Sequence, residues 1–291
     1  MHQMKIKFNE ILSVLVPSRL ILAIGPFLIG TLLIIGFTLP NMVSLISGLI
    51  ILSLADSSAS AINSLSDTEE DKINKPERIL AKKPQLKNEV LFIACTLFSI
   101  ALIMSFFINL IFFIIILLRI LFEILYSTFR LKKIFLINHL LVGITYGAIP
   151  LFASWAIFSK PFGYPPTIFY FFILMTIFLT PLKDIEDYWG DKKSKTKTLP
   201  VKIGLKKSIL VFPIILIILP STILIIGLIF QIYQIILASL ISIIYLILLS
   251  KLTTSQINKT RKSKKSIKIF TPFATLSGVI IELIFVILLI I

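Results

Sequence analysis

Nine stretches of about 20 mainly apolar residues follow one another along this chain with short polar breaks between them, and that spacing leaves few folds open. Roughly 20 apolar residues, wound as a helix, match the hydrocarbon thickness of a bilayer. Helices satisfy their own backbone hydrogen bonds there, which open sheet edges and loops do not. The runs fall at 18–37, 41–65, 89–108, 110–127, 136–158, 166–183, 208–229, 231–250 and 269–291. A mean hydropathy of +1.02 and 57% hydrophobic residues exceed what a soluble core requires. The expected fold class is all-α: a polytopic membrane protein of about nine transmembrane helices in one bundle. No change of composition divides the chain, so residues 1–291 are expected to form a single domain.

The start, Met1 to Pro17, lacks an apolar core with a small-residue cleavage site, so the first run is expected to stay as a helix. The single cysteine, Cys95, lies inside the third run and excludes an internal disulfide. A net charge of +15 would suit nucleic acid, but its distribution argues against that partner. Of the 29 Lys and Arg, 27 fall on one side of the expected membrane, with Lys160 on the other and Arg119 within a span. The positive-inside rule then puts the N-terminus and the loops after spans 2 and 6 in the cytoplasm, and the C-terminus outside. The basic run Lys259 to Lys265 suits contact with anionic membrane lipids.

Against this background the acidic residues are concentrated. Eight of the fourteen Asp and Glu occupy two clusters, Asp67, Glu69, Glu70, Asp71 and Asp184, Glu186, Asp187, Asp191, at the ends of spans 2 and 6. Both clusters are followed by a basic stretch containing proline, which suggests two related halves plus a ninth helix. At about 100° per residue, Asn63, Asp67 and Asp71 share one helical stripe about 12 Å long. Glu70 lies near it and Glu69 points away. By the same arithmetic Asp184, Asp187 and Asp191 converge, and Glu186 does not. Carboxylates packed this closely repel one another unless a cation sits among them, and an all-oxygen set suits Mg²⁺. Two facing stripes could hold two such ions and bind a diphosphate, offsetting charge on it as a carbon–oxygen bond breaks. Basic residues would complete the clamp: Lys75 and Arg78 after the first cluster, Lys183, Lys192 and Lys197 around the second, Lys132 or Lys133 after span 4, and Arg19 at the mouth of span 1.

The pattern Asn63-x-x-x-Asp67-x-x-x-Asp71, continued by Lys72-Ile-Asn74-Lys75-Pro76-Glu77-Arg78, resembles the first signature of the UbiA superfamily of intramembrane prenyltransferases. Lys183-Asp184-Ile-Glu-Asp187-Tyr-Trp-Gly190-Asp191, with Lys197-Thr198-Leu199-Pro200 and Gly204, is similar to its second. Tyr126-Ser127 with Lys132 and Lys133 resembles the segment after the fourth helix, and Arg19 the arginine that opens the first. The resemblance implies nine helices around a laterally open central cavity. It also implies two Mg²⁺ ions and transfer of a prenyl group from a polyprenyl diphosphate donor to a small lipophilic or aromatic acceptor. Asn63, Asp67, Asp71, Asp187 and Asp191 would then be metal-site residues with Asp184 as a helper, and Arg78 and Lys183 would bind diphosphate. The Asp-Ile-Glu-Asp, Gly-Asp and Thr-Leu-Pro forms look like members that add geranylgeranyl to geranylgeranylglyceryl phosphate in ether-lipid synthesis. Quinone-type aromatic prenylation and a UbiA-type terpene cyclase stay open beside that lean, and a non-enzymatic binder or transporter of prenyl diphosphates is less favoured.

Three buried features fall outside the signatures. Asp56 lies about 10 Å deeper on the same stripe as Asn63, where a charge costs roughly 2.5–3.5 kcal/mol. It is a candidate for binding the acceptor or taking its proton, or a polar contact satisfied by Ser53, Ser57, Ser58 or Ser60. Arg119 and Glu123 stand at the i, i+4 spacing of an ion pair. Tyr126, on their stripe, could steady an allylic cation through its ring face. His139 reads as a structural or capping residue, and Glu282 has no evident partner in the sequence.

Overall fold

The computed structural model describes residues 17–36, 38–158, 174, 176–177, 184–260, 280–281, 283–284 and 287–288. Among these residues every regular element is helical. The long helices are α1 (Pro17–Ile35), α2 (Met42–Ser66), α5 (Lys87–Ile108), α6 (Leu110–Glu123), α11 (Leu205–Phe230) and α12 (Tyr233–Thr260). Another is assembled from α7 (Phe135–Val142), a π turn (Gly143–Ala148) and α8 (Ile149–Phe158), and α6 runs on through its own π turn, Ile124–Thr128. Short helices α3 (Thr68–Asn74), α4 (Ile79–Lys82), α9 (Tyr188–Lys193) and α10 (Leu199–Ile203) occupy the polar connections.

Seven of the nine expected spans therefore meet a continuous helix, and the other two, 166–183 and 269–291, lie mostly outside the described residues, their few described positions being helical. Among the described residues four helices, 42–66, 84–108, 110–128 and 136–158, are long and apolar enough to cross a membrane. One helix differs from expectation: α12 runs ten residues past the apolar run, to Thr260. A helix needs no apolar surroundings to continue, because its backbone bonds are internal.

The bundle is held by apolar packing and a few polar pins. Asn41 caps α2 by accepting from Val43 N at 3.0 Å and Ser44 N at 3.4 Å. Asn109 caps α6 through Phe112 N at 2.8 Å and donates to Ala156 O at 2.9 Å, tying the start of α6 to the end of α8. Between α1, α2, α6 and α8 lies a core that includes Phe27, Leu52, Ala55, Phe112, Ile116 and Ala153. At Gly30 the crossing of α1 with α8 is so close that a Cβ would come within 2.1 Å of Ser154 Oγ, which is how small residues bring membrane helices together. Phe92, Phe106, Phe107 and Ile229 point outward, as an apolar solvent allows.

Candidate active site

The first acidic cluster does not sit on one uninterrupted helix. Helix α2 stops at Ser66, Asp67 takes φ −98° and ψ 10°, and α3 starts at Thr68. Thr68 Oγ1 donates back to Ser64 O at 3.3 Å and Leu65 O at 3.0 Å, occupying carbonyls of the last turn of α2. The second cluster repeats the form: residues 184–186 are helical, Asp187 takes φ −85° and ψ 2°, and α9 follows. Each break places one aspartate at the joint and one four residues further on, on a short helix. The expected straight stripe is thus bent at Asp67, with carboxylates offered from both sides of the bend.

Packing of α3 on α9 brings the clusters face to face. The joint is Asn74, whose Nδ2 donates to Asp187 O at 3.0 Å and whose Oδ1 accepts from Gly190 N at 2.8 Å. A Cβ at position 190 would lie 2.2 Å from Asn74 Nδ2, so only glycine admits this contact. Neither residue drew a role from the sequence. A glycine interrupting a helical stretch, Trp189-Gly190-Asp191, was the signal for a close approach.

Asn63, Asp67, Asp71, Asp184, Asp187 and Asp191 all line one cleft, together with Glu70, Lys75, Arg78, Tyr126 and Lys132. The cleft is open at its mouth and lined mainly by polar and charged side chains. Lys75 Nζ reaches across to Asp187 Oδ1 at 2.8 Å, Arg78 Nη1 bonds Asp71 Oδ2 at 2.7 Å, and Lys132 pairs with Asp67. Lys132 also stands 5.8 Å over the Tyr126 ring, and Arg130 Nη1 holds Glu70 Oε1 at 2.5 Å. Burial pushes the Asp71 carboxyl up from the ordinary carboxylate range, against the opposing pull of Arg78 and Lys75, and Asp67 adds to the rise. Glu69 turns outward onto Lys72, whose hydrogen bond lowers its carboxyl.

Several expected residues stand elsewhere. Lys133, Lys192 and Lys197 do not line the cleft: Lys133 Nζ contacts Ser194 O at 3.4 Å, Lys192 lies 5.8 Å over the Tyr188 ring, and Lys197 N bonds Lys133 O. Arg19 falls in the first turn of α1, its side chain beyond the description, and Lys183 and Glu282 lie outside the described residues. Asp56 is also away from the cleft. Its partner is Arg119, bonded through Nη2 at 2.6 Å and Nε at 3.0 Å, whereas Ser58 donates to Ala94 O instead. The Arg119–Glu123 pair forms at 3.3 Å. Conversely Asn138, Thr196 and Thr198 line the cleft without having been assigned a role, although Thr198 belongs to the second signature. His139 Nε2 is 3.7 Å from Asp184 Oδ2, on the cleft's second side.

The donor set is all oxygen, which fits Mg²⁺. Two buried cleft atoms, Glu70 Oε2 and Thr198 Oγ1, have no hydrogen-bond partner among the described residues, as expected beside a site for a charged ligand. Among the described residues no three acidic or histidine side chains converge tightly enough to cage an ion by themselves. Mg²⁺ does not require such a cage, since it typically takes one or two carboxylates and fills its octahedron with water and phosphate oxygens.

Fold and site define the class: an all-helical membrane bundle carrying a carboxylate-rich, lysine- and arginine-fringed cleft at its helix ends. The chain matches the UbiA prenyltransferase family over residues 23–274 and belongs to that family, whose members are integral membrane proteins. It is 34% identical over 187 residues to the digeranylgeranylglyceryl phosphate synthase of Sulfurisphaera tokodaii, covering 62% of this chain and 65% of that one, just under two thirds of the relative. It is 32% identical over 211 residues to the synthase of Methanosphaera stadtmanae, covering 72% and 75%. A solved digeranylgeranylglyceryl phosphate synthase structure superposes with a TM-score of 0.65 at 24% identity, over 97% of this chain and 98% of that one. A UbiA homolog from Archaeoglobus fulgidus bound to GPP and Mg²⁺ gives 0.68 at 16% identity, over 95% and 99%. Those two likenesses establish the shared fold.

Proposed function

We propose that this protein is a Mg²⁺-dependent intramembrane prenyltransferase that ionises geranylgeranyl diphosphate and transfers the prenyl group to geranylgeranylglyceryl phosphate. The observation that carries the reading is the gathering of six oxygen-donor side chains and three cations, Lys75, Arg78 and Lys132, around one cleft at the end of an apolar bundle. The names of the relatives favour a glyceryl phosphate lipid over an aromatic acceptor.

In this reading Asn63, Asp67, Asp71, Asp184, Asp187 and Asp191 hold two Mg²⁺ ions. When bound, the metal offsets the charge that develops on the leaving diphosphate. Lys75, Arg78 and Lys132 engage Asp187, Asp71 and Asp67, three carboxylates assigned to metal. These cations therefore exchange partners when diphosphate binds, turning to its oxygens and completing the clamp with Arg19 and Lys183. Thr198 donates its buried hydroxyl to the same group. Tyr126 presents its ring face to the allylic cation; as the C1–O bond to diphosphate breaks, the acceptor hydroxyl attacks C1 to form the ether bond, and its proton passes to the departing diphosphate or to water. Lys133, Lys192 and Lys197 contribute to a basic rim that attracts the anionic substrates.

The same reading takes residues 1–291 as one domain of nine spans, with the N-terminus and both acidic clusters in the cytoplasm and the C-terminus outside. Full-length protein is incubated with geranylgeranyl diphosphate, Mg²⁺ and a panel of glyceryl phosphate ethers and hydroxybenzoates. Product mass is expected to show geranylgeranyl added to geranylgeranylglyceryl phosphate, and none with EDTA. Prenylated hydroxybenzoate alone would move the acceptor to the aromatic class, and a cyclic hydrocarbon formed without acceptor would replace transfer by cyclisation.

A further inference from the structure

Among the described residues, three acidic or guanidinium side chains lie in the apolar interior and outside the cleft: Arg119 at 1% exposure, Asp56 at 2% and Glu123 at 3%. Charges at such depth are expensive, and where they occur they tend to serve the site they adjoin. These connect to it through one hydroxyl. Arg119 donates to Asp56 Oδ1 and, through Nη1, to Glu123 Oε2; Ser127 Oγ lies 2.5 Å from Glu123 Oε1 and 3.2 Å from Oδ1 of the Asn63 amide. Ser127 is fully buried and belongs to the π turn Ile124–Thr128, a type of segment that concentrates at functional sites.

Counting protons along this chain gives it a direction. Arginine only donates, and Glu123, as its ion-pair partner, is a carboxylate that only accepts. Serine has one proton, and the short contact to a charged acceptor claims it over the longer contact to an amide. Ser127 Oγ then has only lone pairs to offer Asn63. An amide oxygen beside it would leave two acceptors facing each other with no proton between them. A half-turn of the amide, which leaves its shape unchanged, puts the NH₂ there instead. The carbonyl oxygen is then the end that faces the cleft, and it is the end that can ligate a hard cation.

We propose that Arg119, Glu123 and Ser127 are positioning residues that fix the polarity of the Asn63 amide, presenting Oδ1 to the metal site; the proposal rests on the Mg²⁺-dependent reading above. Asp56 anchors the chain by holding Arg119.

Mn²⁺ binding to detergent-solubilised full-length protein, read by electron paramagnetic resonance in the presence of inorganic pyrophosphate, tests it. Glu123→Gln lets the new amide donate to Ser127, so Ser127 can donate to Asn63 and the polarity is no longer fixed. Ser127→Ala removes the relay altogether. Each is expected to raise the Mn²⁺ Kd about tenfold, the usual scale for groups that orient a ligand. In an Asn63→Asp background both effects should vanish, because a carboxylate offers oxygen at either end. An unchanged Kd in both single variants, or an undiminished loss in that background, overturns the proposal. Melting curves separate a merely structural role, which would lower Tm equally in both backgrounds. Should Glu123→Gln fail to fold, Ser127→Ala, which deletes one hydroxyl, carries the test. Absence of Mn²⁺ binding by the unaltered protein would instead overturn the metal reading itself.

Discussion

The Asn74 side-chain amide and the backbone of Gly190 are locked together, Oδ1 accepting the Gly190 N–H at 2.8 Å while Nδ2 donates to the Asp187 carbonyl at 3.0 Å. Two acidic clusters far apart in the chain are held at a fixed separation by one amide and one missing side chain. Because a Cβ at 190 would collide with the Asn74 side chain, Gly190→Ala displaces that amide and breaks the bridge between the clusters. It is expected to reduce Mg²⁺-dependent turnover by about two orders of magnitude, the scale set by a misplacement of about 1 Å. Asn74→Ala, which leaves the Gly190 N–H without its partner, should destabilise by about 1–3 kcal/mol. Steady-state kinetics with thermal melts check both.

Asp67 and Asp187 occupy equivalent joints, each at the break between a helix and a short helix. Asp67→Asn and Asp187→Asn remove a charge without changing shape. Each is expected to lower Mg²⁺-dependent diphosphate release at least about hundredfold, as for other lost charge-stabilising groups, with the melting temperature preserved. Full turnover in either variant would remove that residue from the metal site.

Lys75 spans the clusters to reach Asp187, and Arg78 holds Asp71. If both are released to diphosphate, Lys75→Ala and Arg78→Ala should each raise the donor KM about tenfold or more, from the 1.5–3 kcal/mol of a charged hydrogen bond. The KM of the acceptor should change less. Equal effects on the two substrates would argue against a donor-specific role.

Arg119 pairs with two buried carboxylates at once. Arg119→Leu leaves Asp56 and Glu123 unbalanced and is expected to destabilise by about 3–5 kcal/mol. Asp56→Asn should be milder, since Arg119 keeps Glu123. Differential scanning calorimetry distinguishes them.

Orientation is open to direct measurement because Cys95 is the single cysteine. In a Cys95→Ala background, an impermeant maleimide should label Lys193→Cys in inverted vesicles and not in right-side-out ones.

The apolar runs were legible in the sequence because bilayer thickness sets helix length regardless of what a helix touches. Seven of them meet helices, six at nearly the expected residues and α12 with a ten-residue extension. The inward members of each cluster were legible for a related reason, since helical periodicity reports which residues share a face. The i, i+4 pair Arg119–Glu123 belongs to the same class of information. Tertiary structure decided the rest. Asp56 and Arg119 are 63 residues apart, Asn74 and Gly190 are 116 apart, and no periodicity links them. Their meeting depends on how helices cross, and crossing is set by packing over whole faces. The same packing drew Asp56 away from the cleft and into an ion pair, bent the acidic stripe at Asp67, and brought Asn138, Thr196 and Thr198 to the site. Sequence alone determined which groups stand at the helix ends and the chemistry they share. Only the packed bundle decided which of them face one another, because contact between distant segments is a property of their geometry and not of either segment.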